Sequence, residues 1–129
     1  MLYNINPNIW GPHTWKMLHY ITMAYPEQPT EEDRLNIKNF FISVKNVLPC
    51  EKCRIHFSMN LEKYPLCDKV LMCKQNLINW LKDIHNEVNI KTGKKIYTYE
   101  ELINEYENKE KNDDCNVEIV TIFLLIVII

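Results

Sequence analysis

The sequence predicts an all-α protein, a four-helix bundle with a short fifth helix, and three observations carry that prediction. Apolar residues recur at helical spacing along most of the chain, two stretches open on capping-box signals, and no alternating strand pattern is secure before the C-terminal tail. At 129 residues the chain fits one domain with a real core. It is too short for a catalytic domain plus a separate cofactor domain. Two glycines, Gly11 and Gly93, serve the whole chain, so neither a Gly-rich dinucleotide loop nor a P-loop can be built.

The first helix is expected from Pro12 to about Tyr25, with Pro12 suited to the first helical position, Trp15, Leu18, His19 and Thr22 on one face, and Pro26 as its stop. Thr30 to Asp33 resembles a capping box, and Ile37, Phe40, Phe41, Val44 and Leu48 then mark a second helix ending at Leu48-Pro49. A third is expected from about Cys50 to Lys63, less regular than its neighbours. Tyr64-Pro65-Leu66-Cys67 interrupts the pattern. Leu77, Ile78, Leu81, Ile84, His85 and Val88 define a strongly amphipathic fourth helix ending near Gly93. Thr98 to Glu101 is a full capping box, and Tyr99, Leu102, Ile103 and Tyr106 follow as the short fifth helix.

This pattern divides the chain into a folded domain over 1–108, a charged linker over 109–118 and an apolar tail over 119–129. The tail is about half the length a bilayer-spanning helix needs. Membrane association, a sticky end or strand pairing with another chain stay open for it. Fifteen basic against 17 acidic residues give a net charge of -2, which advertises no nucleic-acid partner. The N-terminus has no charged region followed by an apolar stretch, so no secretory signal peptide is expected.

Five cysteines are many for a cytosolic protein of this length, and the odd count leaves at least one free or intermolecular. Cys50-Glu51-Lys52-Cys53 directly after Pro49 is the strongest local signal. Two cysteines three apart at a helix start can close a small disulfide, and the helix N-terminus stabilises a thiolate. Alone, the pair reads equally as a redox centre, half of a zinc site, or incidental. Zinc needs two more ligands from Cys67, Cys73 or His56 at unusual spacing, and a thioredoxin-like fold needs a strand where helix is expected. A redox pair that oxidises thiols needs an electron acceptor, and a flavin can pass two electrons to oxygen. Trp15 with His19, and His85 with Asn89, stand at i, i+4, so each pair shares a helix face and can line a pocket; a buried Trp beside a satisfied His is the bland alternative.

Trp10-Gly11-Pro12-His13-Thr14-Trp15, Leu18-His19, Tyr25-Pro26, Leu48 to Cys53, and Trp80 with His85-Asn86-Glu87-Val88-Asn89 together resemble the Erv/ALR FAD-linked sulfhydryl oxidases, over about Trp10 to Tyr106. The resemblance implies FAD at one end of the bundle, a homodimer, and thiol oxidation in which electrons pass through Cys50/Cys53 to FAD and then to oxygen, giving hydrogen peroxide. By position, Cys53 resembles the cysteine beside the flavin and Cys50 the one that exchanges with the donor. Gly11, Trp15, His19 and Tyr25 match first-helix FAD contacts, His85, Asn86, Val88, Asn89, Lys91 and Lys94 match contacts of the fourth helix and following loop, and Tyr99 matches an aromatic near the adenine. The implied donor is a thiol-bearing protein, thioredoxin-like or carrying its own CxxC.

Lys82 and Tyr99 stand where cellular members of that family carry a structural disulfide, so the chain resembles the viral members more closely. That implies host cytoplasm or the virion, against the mitochondrial intermembrane space or secretory pathway for a cellular member. Cys115 is the one candidate for the family's shuttle cysteines, and Cys67 and Cys73 match no family role. The alternative from another class is a redox-inactive, cysteine-rich helical binding or metal-binding module.

Overall fold

The computed structural model describes residues 3–108, which are helices and their connections with no strand. Cys115 and the tail over 119–129 lie outside the described residues. The chain divides into a unit ending at Ile96 and a second beginning at Tyr97.

In the first unit α1 spans Pro7–Met23 and opens one and a half turns earlier than the sequence reading placed it. Asn6 is the reason. Its side chain accepts the Asn8 N–H at 3.0 Å, and Pro7, not Pro12, holds the first helical position with its φ already set. Pro12 therefore lies inside α1, where it supplies no N–H to the helix ladder.

Helix α2 covers Glu31–Val47 behind a complete capping box: the Asp33 N–H donates to Thr30 Oγ1 at 3.1 Å and the Thr30 N–H to Asp33 Oδ2 at 2.9 Å. Helix α3 covers Glu51–Lys63. A one-turn helix α4, Asp68–Leu71, follows the Tyr64–Cys67 break and is too short to leave a periodic signal. Helix α5, Lys74–Thr92, starts at Cys73 and ends on Gly93.

Helix α1 packs on α5, α2 on α3, and both α3 and α4 on α5, which makes α5 the central element. Its stripe of Leu77, Leu81 and Ile84 is fully buried, and each such side chain contributes roughly 1.5–3 kcal/mol. Phe41 meets Trp80 edge-on with ring centroids 5.0 Å apart, and the Trp80 indole N–H donates to the Tyr64 carbonyl at 2.7 Å. Trp80 is core. Phe40, one of the apolar residues whose spacing marks the second helix, is 40% exposed, because the inward face of α2 is the one carrying Phe41 and Val44.

The second unit carries α6, residues 99–108. Its capping box is complete: the Glu101 N–H donates to Thr98 Oγ1 at 3.2 Å and the Thr98 N–H to Glu101 Oε2 at 3.0 Å.

Candidate functional site

The Cys50–Cys53 disulfide opens α3, with the two Cα atoms 5.1 Å apart. Cys50 is the N-cap residue in extended conformation, and its Sγ accepts the Cys53 N–H at 3.2 Å. A cysteine thus takes the place of the usual Ser, Thr or Asp cap, so one of the helix's unpaired N–H groups points at the sulfur that would carry negative charge after reduction. Both cysteines are half-buried. Arg54 Nη1 donates to the Leu48 carbonyl at 2.5 Å and fastens the turn preceding the pair.

Sequence reading left out the residues that hold this turn from the other side. The Ile5 N–H donates to the Pro49 carbonyl at 2.7 Å, Asn4 Oδ1 accepts the Glu51 N–H at 2.8 Å, and the Trp10 indole N–H donates to the Ile5 carbonyl at 2.9 Å. The Ile5 and Asn4 contacts join positions more than forty residues apart, and no periodicity announces them.

Trp15, His19 and His85 come together where α1 meets α5. Trp15 and His85 stack with centroids 3.9 Å apart and planes 8° from parallel, and His19 Nε2 lies 2.8 Å from His85 Nδ1. This hydrogen bond requires at least one neutral ring. Burial, and then the neighbouring His85, lowers the His19 pKa to about 3; burial, and then the Lys94 charge, lowers that of His85 to about 4. Both imidazoles are neutral at pH 7.

Asn89 lies one turn beyond His85 on α5 and is buried, extending the apolar stripe as a polar one. Asn86 and Val88 are half-buried on the same helix. Gly93 then adopts φ 68°, and the Lys94 N–H closes back on the Asn89 carbonyl at 2.8 Å. The glycine turn thereby sends the exposed Lys94 back to where its charge is felt by His85. Lys91 is exposed, and its charge acts on Glu87.

Glu87 itself accepts from Lys63 Nζ at 2.6 Å and from the Tyr64 hydroxyl at 2.7 Å, pinning the end of α3 to α5. The Lys63 hydrogen bond holds its carboxyl below the usual range. Tyr25 is buried in the core, its hydroxyl donating to the Leu71 carbonyl at 2.7 Å. Tyr99 opens α6 in the second unit. Cys67 and Cys73 are not disulfide-bonded, and among the described residues no three His, Cys, Asp or Glu side chains are grouped to hold a metal ion.

Two observations fit these residues to a planar cofactor with polar edges and an anionic tail. Asn89 Nδ2 is a buried donor with no partner among the described residues, the kind of group that a bound ligand's acceptor satisfies. Gly11 interrupts a helix at a cost of about 0.5–1 kcal/mol relative to Ala, yet a Cβ there would meet nothing within 4 Å. The protein's own packing does not demand glycine at that position, whereas a ligand lying against α1 would.

The model of the Erv1 / Alr family matches residues 12–110. A probable FAD-linked sulfhydryl oxidase of Acanthamoeba polyphaga mimivirus is 48% identical over 103 residues, covering 80% of this chain and 72% of the relative. An FAD-linked sulfhydryl oxidase of African swine fever virus is 31% identical over 98 residues, 76% of this chain and 80% of the relative. FAD-linked sulfhydryl oxidase ERV2 of Saccharomyces cerevisiae is 30% identical over 97 residues, and the chain spans about half of its length (48%). Among solved structures, the FAD binding domain of Erv1 from Saccharomyces cerevisiae superposes with a TM-score of 0.68 at 24% identity, over 74% of this chain and 88% of that one, a likeness of fold. With the family model covering most of its length, this chain belongs to the Erv1 / Alr family.

Proposed function

We propose that this protein is an FAD-dependent thiol oxidase that makes disulfides in a partner protein, with residues 1–108 as the oxidase domain. The observation that carries the reading is the Cys50–Cys53 disulfide at the start of α3, in a chain whose viral relatives are named FAD-linked sulfhydryl oxidases.

A donor thiolate bonds to Cys50 Sγ as the Cys50–Cys53 bond breaks, and Cys53 leaves as a thiolate. A second donor thiolate then attacks the donor sulfur of this mixed disulfide, which releases the product disulfide and the Cys50 thiolate. Two donor thiols have lost two electrons and two protons, and the reduced pair holds the electrons. The chemistry FAD would supply when bound is the acceptance of these two electrons and their delivery to oxygen, giving hydrogen peroxide.

Trp15 and His85 would present aromatic faces to FAD, Asn86, Val88 and the Asn89 amide, whose Nδ2 has no partner among the described residues, would line its edges, Gly11 would leave it room, and Lys91 and Lys94 would balance its pyrophosphate. His19, neutral and fully buried, orients His85 through their hydrogen bond. Tyr25 supports α1 from the core. The donor is a thiol protein with its own exposed cysteine pair, thioredoxin-like or CxxC-bearing.

Cys53→Ser is expected to remain yellow and to lose thiol-dependent oxygen uptake, and Cys50→Ser to accept no electrons from a protein thiol. Full turnover by either variant removes the roles given to the pair. A homodimer is supported by exposed apolar side chains on two helices, Ile9 and Met17 on α1 and Leu35, Phe40 and Val47 on α2. Sedimentation equilibrium is expected to return twice the 15.5 kDa chain mass; a monomer at micromolar concentration contradicts it.

A further inference from the structure

The segment ahead of α1 does more than cap that helix. The Pro49 carbonyl, which accepts the Ile5 N–H, belongs to the peptide group before Cys50, and the Glu51 N–H, which donates to Asn4 Oδ1, belongs to the peptide group after it. Both peptide planes flanking Cys50 are therefore held by two adjacent residues of the N-terminal segment. That segment is itself fastened to α1 by the Trp10 indole on the Ile5 carbonyl and by Asn6 on the Asn8 N–H. The Glu51 N–H is one of the donors a helix start leaves unpaired, so this bond is made at no cost to the ladder of α3.

The two cysteines differ in how they are held. Cys53 sits inside α3, where the helix fixes its backbone. Cys50 lies outside it with extended backbone, φ -161° and ψ 121°, and its side-chain direction depends on what grips the turn. We propose that Asn4 is a positioning residue for thiol exchange at Cys50, clamping the cysteine attacked by the donor so that its sulfur stays aligned with that of Cys53. In exchange, the donor sulfur, Cys50 Sγ and Cys53 Sγ line up, the first bond forming as the second breaks. After reduction the covalent tether is gone, and the clamp adds to the Leu48 and Arg54 backbone bonds in keeping the Cys50 sulfur within reach for the disulfide to close again.

The clamp has a thermodynamic consequence. The Cys50 N–H on the Leu48 carbonyl at 2.8 Å and the Arg54 N–H on the Cys50 carbonyl at 3.0 Å hold the backbone of this residue in either state; in the disulfide the S–S bond restrains the side chain as well, whereas in the dithiol the grip of Asn4 is a larger share of what remains. Removing it therefore frees the dithiol more than the disulfide and shifts the equilibrium toward the dithiol, by the same loop-closure reasoning that governs cross-links. A single hydrogen bond of ordinary strength corresponds to about a five-fold change.

The test uses the full chain with its flavin. Asn4→Ala and Asn4→Gln, which respectively delete and displace the acceptor, are equilibrated with glutathione buffers and trapped by alkylation. Both are expected to shift the Cys50–Cys53 equilibrium toward the dithiol by about five-fold and to slow flavin reduction by dithiothreitol, with the visible spectrum unchanged. Asn4→Asp, which keeps an oxygen acceptor in place, is expected to recover wild-type behaviour. An equilibrium unaltered in both Ala and Gln variants, or an Asp variant that tracks Ala, overturns the proposal. It rests on Cys50 and Cys53 being the redox pair, so Cys53→Ser is assayed in parallel. Turnover retained there removes the reading of the pair itself; turnover lost there, with Asn4 variants unaltered, removes the positioning role alone.

Discussion

At the scale of single residues, the informative pair is His19 and His85. Spacing placed each on the correct helix face beside Trp15 or Asn89, but whether those imidazoles were core or site was open, since helical spacing says nothing about which helix lies opposite. The structure answers with a hydrogen bond between them and a Trp15 stack, both made across the α1 and α5 contact. Their protonation carries a signed consequence. The unfolded chain takes up protons at these rings near pH 6.5, the fold only near 3 and 4, so between those limits the unfolded state binds more protons and stability falls as pH drops. From pH 7 to 5 the loss is about 2 kcal/mol for the fully buried His19 and somewhat less for the half-buried His85. Urea midpoints at the two pH values measure it; equal midpoints would contradict two neutral, buried rings.

At the scale of elements, the capping boxes of α2 and α6 were legible because both partners sit within four residues. The start of α1 was misplaced at Pro12 because two prolines competed for one role, and the Asn6 cap, visible only in its hydrogen bond, decides for Pro7. Helix α4 was hidden by its length. Gly93 ends α5 in the left-handed region with open space around it, so Gly93→Ala carries a backbone cost of about 1–2 kcal/mol and no clash. Its thermal midpoint is expected to fall by several degrees, with flavin affinity falling too because Lys94 loses its placement; an unchanged midpoint and flavin content would show that the turn does not need glycine. Gly93→Asn, with a residue that tolerates this region, is expected to lose less.

At the scale of the whole molecule, the bundle was legible because five stretches repeat their apolar residues at helical spacing, and α5, the clearest of them in sequence, is also the one against which α1, α3 and α4 pack. The site was legible in part. Cys50 and Cys53 announce themselves by proximity in sequence, and Trp15, His19, His85 and Asn89 by their helix faces, whereas the Asn4 and Ile5 grip on the cysteine turn joins distant segments through backbone groups that every residue possesses.

The central claim is that thiol electrons leave this protein through a flavin, and the visible spectrum of the purified protein during addition of dithiothreitol, with oxygen consumption followed in parallel, tests it most directly. A flavin band near ~450 nm that bleaches without oxygen, returns on aeration and accompanies stoichiometric thiol-dependent oxygen uptake is the predicted result. A colourless protein, or a yellow one that consumes no oxygen with thiol, would contradict it.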